Sequence, residues 1–99
     1  MVFEAAKAEF PSVSFDPNDS GKFVIAYNDG GNSDYGTAIA GTISGTTPSF
    51  GSAAVFDSVA CGRTNVSFDP NTAGKFVVAY RGGSEHGNAV VGTVSGTSL

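Results

Sequence analysis

Val13-Ser14-Phe15-Asp16-Pro17-Asn18 returns as Val66-Ser67-Phe68-Asp69-Pro70-Asn71, 53 residues later. Just downstream, Gly21-Lys22-Phe23-Val24-Ile25-Ala26-Tyr27 returns at the same spacing as Gly74-Lys75-Phe76-Val77-Val78-Ala79-Tyr80, and Val2-Phe3 returns as Val55-Phe56. After a two-residue deletion, residues 36–46 correspond to 87–97. The chain is a tandem repeat with units 1–53 and 54–99. A unit of this length exceeds an ankyrin or leucine-rich repeat and is close to one propeller blade.

Each unit reads as four strands. In the first unit these are residues 12–15, 22–27, 37–44 and 50–56, with turns at 16–21 and 45–49 and a loop through Tyr35. Val13 and Phe15 alternate with polar residues, as do Phe23, Ile25 and Tyr27 with smaller ones, which is the period of a strand. Val24 and Ala26 make the other face of the second strand apolar too, so both faces are expected to be buried. Small and β-branched residues at 38–41 permit close sheet-on-sheet approach. Asp-Pro-Asn, Gly-Thr and Gly-Gly punctuate the strands as turns. The expected fold is all-β: a β-propeller with two four-stranded antiparallel blades per chain.

Composition agrees. Of 99 residues, 14 are glycine, 40% are hydrophobic and 14% are charged, which excludes a disordered acidic tail. A net charge of −4 argues against nucleic acid. No apolar run reaches bilayer length and no signal peptide opens the chain, so neither membrane insertion nor a compartment is implied. One cysteine, Cys61, excludes an internal disulfide framework. No cofactor is expected.

The order of residues 11–16, 21–27, 36–44 and Phe50-Gly51 resembles the bacterial-neuraminidase (Asp-box) type of propeller repeat. That family's box, Ser-x-Asp-x-Gly-x-Thr-Trp, has no counterpart in Ser44-Gly45-Thr46-Thr47-Pro48-Ser49-Phe50, which is shorter and lacks the Asp, Gly and Trp. The resemblance implies the blade topology and not the activity. Six blades is that family's usual count. The two-blade fucose lectins, which form trimers, are similar in architecture, but their tryptophan-rich sugar sites are absent here.

Two blades cannot close a ring of four to eight. Open blades expose apolar faces, so the chain is expected to associate with itself, most simply as a trimer of six blades. Residues 1–4 are expected to serve as the outer strand of a neighbour's second blade, which lacks its own. Starting and stopping within a blade also fits an excised or engineered repeat segment.

The nine pairs from Glu4/Asp57 to Ser12/Asn65 contain no identity, and the loops 28–35 and 81–86 also diverge. Both regions belong to one end of a propeller. That end is the expected ligand face, with Asn32, Asp34, Tyr35, Arg81, Glu85 and His86 as candidate binding residues. An aromatic ring beside amide and carboxylate groups suits glycans. Phe10 is expected to plug a gap between blades. Cys61 with His86 lacks a group that would activate the thiol. Asp16-Pro17-Asn18-Asp19-Ser20-Gly21 begins like a calcium loop, but Tyr27 stands where a bidentate Glu belongs, so it reads as a turn. Lys22 and Lys75 are expected to pair with Asp16 and Asp69.

The resulting expectation is a non-catalytic, self-assembling propeller that binds a glycan or another surface ligand. A purely structural or evolutionary-model repeat fragment is one alternative; a degenerate sialidase-like hydrolase is the other.

Overall fold

The computed structural model describes residues 2–99, and the chain is all-β. The described strands are β1 (Ala8–Phe15), β2 (Lys22–Asp29), β3 (Tyr35–Ser44), β4 (Thr47–Phe50), β5 (Ala54–Ala60), β6 (Gly62–Phe68), β7 (Lys75–Arg81) and β8 (Gly87–Thr93). They form two antiparallel sheets: the first joins the strands of unit 1–53 with β5 from the start of unit 54–99, and the second holds β6–β8. The first runs β1-β2-β3, with both β4 and β5 on the outer edge of β3; the second runs β6-β7-β8.

The fourth strand differs from the expected single run over 50–56. It is split into β4, which pairs with Gly41–Ser44, and β5, which pairs with Tyr35–Ala38. The break falls at Gly51, where a Cβ would lie 2.1 Å from the Thr97 carbonyl oxygen of the second repeat. The turn before β4 is also tighter than expected: Ser44 pairs with Thr47 around Gly45, whose φ of +63° suits glycine.

The Asp-Pro-Asn turns tie the two sheets together. Asp16 is buried, and its carboxylate accepts the Asn18 N–H at 2.9 Å and the Gly74 N–H of the second repeat at 2.9 Å. Asn18 donates through Nδ2 to the Pro70 carbonyl at 2.9 Å. With Asp16 so engaged, Lys22 pairs instead with Asp19 at 2.9 Å, correcting the expected Lys22–Asp16 pair. Lys75 and Asp69 form no ion pair among the described residues.

The register of β2 on β3 sets Val24 opposite Ala40 and Ala26 opposite Ala38, which puts small side chains on one face of the first sheet. Against that face pack Val66, Phe68, Phe76, Val78 and Tyr80 of the second sheet. The other face of the first sheet is covered by its own aromatics. Phe3 meets Tyr27 edge-on at 5.1 Å, and Phe50 meets Phe23 edge-on at 5.9 Å. Gly41 makes room for Phe23, since a Cβ there would lie 2.6 Å from that ring. Both faces of β2 are thus buried, as expected. In β7 burial alternates, because a sheet lies against only one of its faces.

Candidate ligand face at the loop end

The six residues read from the sequence lie at the end of the sheets opposite the Asp-Pro-Asn turns. Asn32 is exposed and Asp34 half-buried on the β2–β3 loop, and Tyr35 is half-buried at the start of β3. Arg81 is exposed at the end of β7, and Glu85 and His86 are exposed on the β7–β8 loop.

The two loops are less divergent than their sequences suggest. In each, a serine and an acid in left-handed conformation precede a ring-bearing residue and a glycine. These are Ser33 (φ 54°), Asp34 (φ 60°), Tyr35 and Gly36, and then Ser84 (φ 59°), Glu85 (φ 62°), His86 and Gly87. Non-glycine residues adopt this conformation rarely, so the acid and the ring sit on a shared backbone device. Sequence comparison missed this because the two-residue deletion falls within the loop.

Between the loops runs the connection from β5 to β6. Cys61 donates its N–H to the Asp34 carbonyl at 3.0 Å on one side, and Val59 reaches within 3.9 Å of a Cβ placed on Gly83 on the other. The Cys61 thiol is buried and faces the Val59 carbonyl at 3.3 Å; burial pushes its pKa up, which keeps it protonated. Arg81 pairs with Glu85 at 3.6 Å. Asn32, Asp34 and Tyr35 therefore form one cluster and Arg81 with Glu85 another, with the connection between them.

Phe10 and Arg63 occupy equivalent positions in the two repeats. Both lie in bulges, with φ of 52° and 53°, where β1 and β6 slip register against β2 and β7. They touch each other, the Arg63 guanidinium lying 5.2 Å from the centre of the Phe10 ring. Phe10 stays exposed, which corrects the expectation that it plugs the gap between units. Thr64 fills that gap, its hydroxyl lying 2.7 and 3.0 Å from the Phe10 and Ala26 carbonyls, which share its one proton.

Beneath the loops, a second equivalence emerges. The Tyr27 hydroxyl reaches a Glu4 oxygen at 3.4 Å, and the Tyr80 hydroxyl reaches Asp57 at 2.8 Å. Glu4 and Asp57, which differ in identity, do the same work. Phe3–Tyr27 has its counterpart in Phe56–Tyr80 at 4.9 Å. Burial, reinforced by these carboxylates, pushes both phenols up to about 12. A phenol held neutral in the folded state contributes its full stability below its unfolded value near 10 and loses it as pH rises through the folded value. Stability is therefore expected to stay level to pH 10. It then falls by roughly 2 kcal/mol per tyrosine by pH 12. Urea midpoints from pH 8 to 12 test this, and Tyr80→Phe should halve the alkaline loss. A decline complete below pH 10 would contradict it.

Asn28 is buried, and its Oδ1 has no hydrogen-bond partner among the described residues. Asp29 beside it is buried and caps the loop, accepting the Gly31 N–H at 3.0 Å; burial raises its pKa. Among the described residues no group of three or more His, Cys, Asp or Glu is placed to hold a metal ion. No protein-family model, curated protein or solved structure matches this chain.

Proposed function

We propose that the chain is a self-assembling building block: two blades of a β-propeller that closes by head-to-tail association of identical copies. The observation that carries this is a contrast between equivalent residues. Val66 and Phe68 are 4% and 7% exposed against the first sheet, whereas their counterparts Val13 and Phe15 are 58% and 53% exposed. On the opposite faces, Val24 and Ala40 are fully buried, whereas Val77 and Val91 are 40% and 67% exposed. One free face thus matches the covering surface of the internal interface and the other matches the covered one. A second copy is the occupant that fits both, and isolated apolar surface of this kind marks an interaction site.

The polar contacts repeat the same logic. The Gly74 N–H meets Asp16 and Asn18 meets the Pro70 carbonyl. Shifted by one repeat, Gly21 of the next copy would meet Asp69, and Asn71 would meet the next copy's Pro17 carbonyl. Phe3 already packs on its own Tyr27 as Phe56 packs on Tyr80. The backbone beside Phe3 can therefore pair with the free edge of β8 in a neighbour, as β5 pairs with β3. Met1, the first residue of that segment, lies outside the described residues.

Six blades from three copies is the reading favoured here. Light scattering is expected to give about 30 kDa, three times the 10.0 kDa chain. About 20 or 40 kDa would select four or eight blades; a folded species of one chain would overturn the proposal.

The loop end is then the ligand face: Asn32 and half-buried Asp34 beside Tyr35, and exposed Arg81 and Glu85 across the β5–β6 connection, suit a glycan or another polar surface ligand. Several weak sites on one ring gain by multivalency. On a glycan array, Tyr35→Ala and Arg81→Ala should each reduce binding at least about tenfold with unchanged mass. Asn18→Ala and Asn71→Ala, at the other end, should leave it intact. The reverse result would place the ligand at the turn end.

A further inference from the structure

Between the two sheets lies a cavity of about 240 Å³, walled by Ala38 and Phe56 of the first sheet and by Phe76, Val78, Gly92 and Leu99 on the other side. The first repeat tells what such a cavity takes. There, Gly41 pairs with Phe50, whose ring stands edge-on to Phe23. Phe76 is the counterpart of Phe23, and Gly92 of Gly41. A Cβ at Gly92 would lie 2.4 Å from the Phe76 ring, as one at Gly41 would crowd Phe23. The entry to an outer strand is also formed. Ser95 pairs with Ser98 as Ser44 pairs with Thr47, and Gly96 has a φ of 62° where Gly45 has 63°. Yet β8 is an edge strand with no described strand beyond it.

We propose that this cavity and the adjoining edge of β8 form a strand-accepting site, whose ligand is an extended peptide segment carrying one phenylalanine. The main chain of the segment pairs with Gly92–Thr93 as β4 pairs with β3, and the ring enters the cavity against Phe76. This is recognition by strand addition, where backbone hydrogen bonds give attachment and a pocket for one side chain gives specificity. The site opens between the two sheets of one chain at their outer edge; it borders Val91 of the copy-joining face, but the ring is received on the opposite side of β8, against Phe76.

The probe is a synthetic peptide with the sequence of residues 46–53, titrated into the isotope-labelled chain. Saturable amide shifts are expected at Phe76, Val78 and Gly92–Val94, at about millimolar peptide. The same peptide with the phenylalanine changed to alanine should bind at least about thirtyfold more weakly. Equal binding of the two peptides, no binding, or shifts centred on β3 would overturn the proposal. As a second measurement, the chain is extended after Leu99 by Ser-Phe-Gly-Ser-Ala. It should melt several degrees higher than the same extension carrying Ala for Phe; equal melting would count against the site. The titration is run on the parent chain and on Phe15→Asp, so loss of self-association and loss of peptide binding are read separately.

Discussion

Phe15→Asp is expected to reduce the assembly to single chains. Phe15 is half-exposed in one chain, and its counterpart Phe68 is buried against the neighbouring sheet. An aspartate there would carry an unpaired charge into an apolar interface, at a cost of several kcal/mol per contact. Val91→Asp on the opposite face should do the same. In a head-to-tail ring every contact joins one face of each kind, so either substitution alone breaks all contacts. Mixing the two variants restores a single good contact, between the intact faces. The mixture should form pairs of about 20 kDa, twice the 10.0 kDa chain, and nothing larger. Both variants should keep their strand content, because neither residue is in the internal core. If either variant retains the parent mass, or the mixture stays monomeric, head-to-tail association through these faces is wrong.

Asp16→Ala is expected to be far more damaging than Asp69→Ala, although the two residues are equivalent in sequence. Asp16 is buried and joins two backbone N–H groups, one from each repeat. Its loss strands the Gly74 N–H and opens the Asn18 turn, costing about 3 kcal/mol. For a domain of this size that lowers Tm by roughly 12–24 °C. Among the described residues the Asp69 carboxylate accepts only the Asn71 N–H, 2.9 Å away in an exposed turn, so in the dissociated Phe15→Asp background Asp69→Ala should cost about 1 kcal/mol or less. In the associated parent, the proposed ring would bring Gly21 of the next copy to Asp69, and the two costs should converge. Equal costs in both backgrounds would remove the polar half of the assembly argument.

The repeat made most of the architecture legible before any coordinates. Two copies of Val-x-Phe-Asp-Pro-Asn and of Gly-Lys-Phe-Val-(Ile/Val)-Ala-Tyr specify strand, turn and strand through period-two alternation and turn chemistry, and the structure forms them in those places. The candidate site was only half legible. Its residues do fall on loops at one end, but the shared Ser-acid-ring-Gly device was hidden by a two-residue deletion. The Glu4–Tyr27 and Asp57–Tyr80 pairs were hidden because identity, and not chemistry, was compared. Phe10 was misread because a bulge at a left-handed residue cannot be anticipated from an aromatic in a strand.

Local sequence therefore determined the periodic elements, since alternation, Asp-Pro-Asn turns and glycines act over a few residues and need no partner. The tertiary structure decided which faces are buried. Val13 and Val66 sit in the same hexapeptide, yet one is exposed and the other covered, because covering depends on what the chain places opposite. It also decided where Asp16 spends its second oxygen and where β4 ends and β5 begins. Those are contacts between groups more than 40 residues apart, set by how one sheet lies on the next.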